Sequence, residues 1–240
     1  MKRILTILGL VILNTVPQGV SAGKIASAYA LTIRGLTVGK VQLTGQDSAS
    51  RYSVSGQIDS TGLARMIRQF SYRGTANGRV VQGGLQPDHY VESADTGRRA
   101  SEAEIRYSGG VPEILRYVSA KEAGPDSPDP ATQTGTVDPL TAIHALLRDV
   151  PRTRACDLDL FIFDGKRRSR ISVAPAGTDA DGLPMCSGAY ERLQGFTAKE
   201  VSRHTRFDFT LTYSDAGNGR LAVREVAFDS FYGTAAIIRQ

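Results

Sequence analysis

Strict two-residue alternation of apolar and polar side chains recurs along most of this sequence, and it restricts the chain to half-buried β-strands. Tyr29, Leu31 and Ile33 share one phase, with Thr32 and Arg34 on the other. Tyr52, Val54 and Ile58 alternate with Arg51, Ser53, Ser55, Gln57 and Asp59. The same holds for Phe70 and Tyr72, for Ala103, Ile105 and Tyr107, and for Phe207, Phe209, Leu211 and Tyr213. Successive strand side chains point to opposite faces, so each run builds one apolar face and one wet face. Parallel strands are covered on both sides and read as unbroken apolar runs, so alternation selects an antiparallel sheet.

Turn chemistry agrees. Asp164-Gly165 stands between Leu158–Phe163 and Lys166–Ala174, a strong hairpin signal. Asp215 to Gly219 separates two further strands, and a change of phase between Leu221, Val223 and Val226, Phe228 predicts a bulge near Glu225. About a dozen strands are expected across residues 28–239, and a twisted sheet of that size must curl, split or close. One amphipathic helix, over about 138–149, interrupts them. Asp138 is its N-cap, Pro139 its first residue, Leu140, Ile143, Leu146 and Leu147 its apolar stripe, and Pro151 its stop. Gly62 to Gln69 suits a short helical turn. Residues 119–136, with Pro125, Pro128 and Pro130, read as a long exposed loop between two halves of one sheet system, a two-domain division there being the alternative. The expected fold is mainly β: a large curved antiparallel sheet or partly open β-barrel with the helix packed in its hollow, a single domain over 23–240. An outer-membrane barrel is disfavoured, because the alternating runs are shorter than such strands need, aromatics are only 7% of residues, and the chain ends in Arg239-Gln240.

Met1-Lys2-Arg3, the apolar stretch Ile4–Leu13 and Val20-Ser21-Ala22 read as a signal peptide over 1–22, cut after Ala22. Ten apolar residues are too few to span a bilayer of about 30 Å. No Cys follows the cut, so lipidation of a new N-terminus is unavailable, and the mature chain is expected to be exported and not membrane-spanning. Its loss lowers the net charge from +5 to +3, too mild an excess to argue for nucleic acid. Cys156 and Cys186 are the two cysteines. In an exported chain an even number of cysteines reads as a disulfide, here structural, with two free thiols the alternative.

Candidates for chemistry are few. His89, His144 and His204 fall on different elements, and no nucleophile or orienting acid can be assigned to them by spacing. Each reads as a surface or capping residue. No G-x-S-x-G, H-E-x-x-H, phosphate-binding loop or dinucleotide fingerprint is present. Asp157 and Asp159 share a strand face and read as solvated, lacking a third metal ligand at fixed spacing. Lys166, Arg167, Arg168 and Arg170 form the one dense basic cluster. It is a candidate surface for an anionic partner, or else an exposed edge strand kept soluble by like charge. Phe161 and Phe163 oppose Leu158, Leu160 and Ile162, so that strand is apolar on both sides: helix-covered, or lining a pocket. No catalytic residue, metal ligand or cofactor is assigned.

Several segments resemble the exported bacterial family catalogued as domain of unknown function 3108. They are the opening Tyr29 to Leu43, Ser60 to Ile67, Gln86-Pro-Asp-His-Tyr90, Val137-Asp-Pro-Leu-Thr-Ala-Ile143 and the Phe163-Asp-Gly165 hairpin. The resemblance implies a periplasmic, curved antiparallel sheet with a helix in its hollow, an architecture like that of periplasmic lipoprotein carriers, and it brings no established activity. The expected function is a non-enzymatic periplasmic envelope protein binding an apolar or amphipathic ligand (lipid or lipoprotein-like), or a protein partner, on its concave sheet. The alternatives are a scaffold acting through the basic strand and, last, a hydrolase of an envelope polymer.

Overall fold

The alternating runs form strands whose apolar phase faces inward. The protein is known here as a computed structural model that describes residues 23–62, 65, 69–82, 84–119, 124–230 and 233–240. The stretch read as a signal peptide, and most of the Gly62–Gln69 segment, lie outside the described residues. The first half contributes β1 (Gly23–Ile33), β2 (Leu36–Asp47), β3 (Arg51–Ser60), β4 (Ser71–Val81), β5 (Gly84–Asp95), β6 (Ala100–Ser108) and β7 (Val111–Ser119). Helix α1 (Pro139–Leu147) and the short β8 (Val150–Pro151) follow. The second half contributes β9 (Leu158–Phe163), β10 (Arg168–Thr178), β11 (Pro184–Gln194), the one-turn α2 (Ala198–Val201), β12 (Arg206–Gly217), β13 (Arg220–Ser230) and β14 (Gly233–Arg239).

All the strands belong to one antiparallel sheet in the order β7-β6-β5-β4-β3-β2-β1-β14-β13-β12-β11-β10-β9, with β8 paired to β13. Each half is a meander of hairpins. The two meanders meet where β1 pairs with β14, Tyr29 opposite Arg239. The predicted turns are present. Asp164 accepts the N–H groups of Lys166 and Arg167 in the β9–β10 turn. Asn218 and Gly219 turn β12 into β13 with φ of 53° and 70°, the left-handed pair a two-residue hairpin needs. The predicted bulge falls at Arg224, where pairing slips between Thr212↔Glu225 and Tyr213↔Val223.

The sheet curls around α1. Asp138 caps the helix by accepting the Thr141 N–H at 2.8 Å, as the sequence predicts. The helix ends at Leu147, two residues short of the expected boundary, because Arg148 turns to extended backbone. Its burial is also wider than the four-residue stripe: Leu140, Thr141, Ala142, His144 and Leu147 are buried, while Ile143 and Leu146 are only half-buried. A helix walled on several sides has no single apolar face. Tyr hydroxyls on the sheet fix both ends: Tyr52 Oη lies 2.8 Å from Thr141 Oγ1, and Tyr29 Oη donates to the Leu147 carbonyl at 3.1 Å. Leu140 sits where Leu43, Gly56 and Gly74 form a cross-strand row. A β-carbon on Gly56 would lie 2.6 Å from Leu140 Cδ1, so the missing side chain is what lets the helix approach.

The two outer strands, β7 and β9, do not pair with each other. The Pro-rich connection is largely exposed, as expected, and its C-terminal end runs into the seam between them. The Val137 N–H donates to Phe161 O and the Phe163 N–H to Val137 O, both at 2.9 Å, while the Gly135 N–H reaches Gly110 O beyond β6 at 3.2 Å. Gln133, Thr136 and Val137 are consequently buried. An unpaired sheet edge exposes backbone donors and acceptors, and this segment covers one.

Candidate functional site

Helix α1 occupies the β3–β5 side of the hollow and packs against β9. Beyond its C-terminal end the wall is left free, and a cavity of about 820 Å³ remains. That volume lies within the roughly 300–1,000 Å³ range of small-molecule sites. Its inner wall is apolar: Ile25 of β1, Leu85 of β5, Leu146 of α1, Leu158 and Leu160 of β9 and Leu211 of β12. Its mouth is charged, with Lys24, Arg148, Arg154, Arg220 and Arg239 set among Asp47, Asp149, Asp157 and Asp159. Polar and apolar surface thus share the lining, with the charges gathered at the mouth. Two further depressions, of about 500 and 520 Å³, lie on the sheet. Around the first, charges largely neutralise one another, as in Arg73–Asp59 (3.0 Å) and Arg116–Glu102 (2.7 Å).

Buried ionisable groups lie at the start of α1 and on strands β4 to β6. Asp138 is fully buried, and burial pushes its carboxyl up to about 6 even though Thr141 donates to it through both backbone and hydroxyl. The Tyr107 hydroxyl is buried without a partner. Tyr72 and Tyr90 hydroxyls lie 3.3 Å apart, and Tyr90 donates to Glu92, whose carboxyl burial also raises. Burial shifts each of these groups toward its protonated form.

This arrangement has a testable pH signature. Asp138 keeps its proton up to about pH 6 when folded and to about 4 when unfolded. Its stabilising contribution is therefore complete below about pH 4 and fades as pH rises through 6. Asparagine caps as well as aspartate but does not titrate. Between pH 7 and 4.5 the wild type should gain on the order of 2 kcal/mol relative to Asp138→Asn. Melting curves of both proteins across that range check it; a constant gap between them refutes it.

The residues singled out from sequence fare unequally. His89 is half-exposed beside Glu104, and His204 is exposed on Phe207. His144 is corrected: it is neither surface nor cap, but fully buried, stacked on Tyr52 and 3.1 Å from Asp47 through Nε2. Its Nδ1 reaches no partner, so no hydroxyl is poised against it. Asp157 pairs with Arg154 and Asp159 with Arg170, each at 2.7 Å. Among the described residues no group of acidic, His or Cys side chains could hold a metal.

The basic cluster is the larger surprise, since its cations are engaged within the protein. Lys166 sits over the Tyr117 ring, and Arg167 lies over Phe196 between Asp164 and Glu200. Arg168 stacks on Phe161 and donates to Gln133 Oε1 at 2.8 Å. Arg170 grips Asp159 with two bonds of 2.7 Å. Strand β10 is also no edge, lying between β9 and β11. Phe161 is thus roofed by arginines on the outer side, while Phe163 is fully buried and Leu158 and Leu160 line the cavity. Cys156, which lines the cavity, is bonded to Cys186, Cα atoms 5.4 Å apart.

Sequence reasoning reaches only part of this lining. Leu158 and Leu160 fall on the strand read as helix-covered or pocket-lining and Leu146 on the helix stripe, whereas Ile25 and Leu85 carry no mark in that reading. No helix among the described residues is long and apolar enough to cross a membrane.

Comparison with known proteins gives a family and a distant fold likeness. The family model described as "Protein of unknown function (DUF3108)" matches residues 28–180. A crystal structure described as a beta-barrel-like protein of domain of unknown function DUF1849, from Brucella abortus, is similar over 92% of this chain and 98% of that one. The two share 8% identity, with a TM-score of 0.45. No curated protein matches the chain.

Proposed function

Since the chain belongs to the family of proteins of unknown function DUF3108, we propose a function read from its hollow: a non-enzymatic, exported binding protein that holds an amphipathic ligand beside helix α1. One observation carries this reading. The helix leaves part of the interior unfilled, and this space, where apolar side chains from several elements meet an at least equal share of polar surface, opens through a charged mouth. A core closed for stability alone is packed to crystal-like density, and empty space costs dispersion contacts. A cavity of this size persists because something of matching polarity fills it. Alkyl surface entering it gains about 25 cal/mol per Å². The disulfide supports a periplasmic location, since such bonds persist in oxidising compartments. The scaffold reading draws no comparable support, because the cations of its proposed surface already have internal partners.

The test is uptake. The full chain, purified without detergent, is expected to carry lipid detectable by native mass spectrometry, and to bind a fluorescent fatty acid. Leu146 is half-buried on the cavity wall. Leu146→Trp should fill the space and lower affinity at least tenfold, with the melting temperature little changed. Clean apoprotein that takes up no amphiphile, or uptake indifferent to Leu146→Trp, overturns the proposal.

A further inference from the structure

We propose that the ligand of the hollow is an anionic amphiphile, its head group gripped by Arg148 and Arg220 with Lys24 at the rim, and its alkyl chain lying against Leu146 and Leu158. The inference rests on the binding function proposed above and adds the charge of what is bound.

It follows from which mouth charges are already satisfied. Asp149 is taken by Arg239 at 2.9 Å and Asp157 by Arg154 at 2.7 Å. Asp159 points its two oxygens at Arg170, outside the cavity lining. Asp47 is closest to His144, at 3.1 Å, and reaches Arg148 only at 4.0 Å. Arg220 donates to the Asp149 backbone carbonyl. Among the described residues no carboxylate lies within 4 Å of it or of Lys24. Two of the four mouth acids therefore neutralise two of the five mouth cations and a third is held by Arg170, which leaves Arg148, Arg220 and Lys24 with only Asp47 near them.

Arg148 is the informative member. Its side chain is only 30% exposed, so it has lost much of its hydration without gaining a close counter-ion. Burial depresses its affinity for its proton; Asp47 offsets part of this, and Arg220 and Arg154 depress it further. A partly desolvated guanidinium beside other cations is an environment that an incoming anion relieves. The planar fork suits phosphate or carboxylate oxygens in pairs. Arg148 follows directly on Leu147, the last residue of α1, and Leu146 lines the wall, so one short segment supplies both head-group and chain contacts.

The experiment compares amphiphiles of one acyl chain length below their micelle concentrations: a lysophosphatidylglycerol, a lysophosphatidylcholine and a monoacylglycerol, each displacing a fluorescent fatty acid from the full chain. The anionic lipid should bind at least tenfold tighter than the uncharged one and weaken with added salt, as the uncharged one should not. Arg148→Gln should erase most of this preference and leave monoacylglycerol affinity within about twofold. Arg220→Gln, at an exposed position, repeats the test without touching the helix end. Equal affinity for all three lipids overturns the head-group inference while leaving the hollow as a binding site. Inorganic phosphate that competes as well as the lipid also overturns it, by showing a bare anion site. Uptake of none of them overturns both proposals together.

Discussion

Leu140→Ala should cost about 3–5 kcal/mol, among the largest effects available in this protein, because the fully buried side chain is the contact that seats α1 on the sheet. The residue opposite it makes the prediction specific. Leu140 Cδ1 occupies space that a β-carbon at Gly56 would need, 2.6 Å away, with Cδ2 at 3.7 Å. Gly56→Ala alone should therefore destabilise by about 1–3 kcal/mol through overpacking. In the double variant the new methyl enters the space that the shortened Leu140 has vacated. The two losses should then fall short of additivity by at least about 1 kcal/mol. Urea unfolding of the four proteins of this cycle measures the coupling. Additive losses would mean that the helix does not rest on Gly56, and the hollow described above would be wrongly shaped.

Much of this architecture is legible in the chain because its causes are local. Alternation in β3, β6 and β12 shows which face is inward, since a one-residue slip would expose every apolar side chain. Asp138-Pro139 marks the helix start because the capping carboxylate and the Pro ring act within one turn. The bulge at Arg224 shows as a change of phase. Features decided across the sheet are less legible. His144 is adjacent in sequence to Ile143 but is buried by Tyr52 and Asp47, about ninety residues earlier. Residues 124–137 look like solvent-exposed loop by composition and mostly are, but the burial of Gln133, Thr136 and Val137 beside β9 is decided by a strand that follows them in the chain. The Lys166–Arg170 cluster is an intermediate case. Its pairing of Arg170 with Asp159 follows from the Asp164-Gly165 hairpin, which sets those residues on neighbouring strands. The contacts of Arg167 with Glu200 and of Arg168 with Gln133 come from distant segments and left no trace in the pattern. The cavity belongs to this second class, for its lining is assembled from strands that meet only once the meanders curl together.

Removing the Cys156–Cys186 bond is the second large perturbation, and its consequences reach the proposed site. The bond closes a separation of 30 residues, for which chain entropy alone gives about 3–4 kcal/mol. In a chain of this length that corresponds to a fall in melting temperature of roughly 6–16 °C. Both cysteines are buried, and Cys156 lines the cavity with φ of 57°, a left-handed conformation that side chains with a β-carbon disfavour. The covalent tie, with the bond from the Cys156 N–H to the Tyr213 hydroxyl, holds that backbone in place. Two double variants separate the contributions. Cys156→Ala/Cys186→Ala should show the full loss. Cys156→Gly/Cys186→Ala should recover about 1 kcal/mol of it, because glycine adopts the left-handed turn without penalty. The segment between α1 and β9, which carries Val150 and Arg154 into the cavity lining, is freed in both. Amphiphile affinity should fall along with stability, and fall equally when the unmodified protein is reduced. Thermal melts and fatty-acid displacement on the same samples distinguish the cases. A stability loss with unchanged binding would show that the cavity keeps its shape unaided, and a loss under 1 kcal/mol would show that the bond adds little to a sheet already held by its own packing.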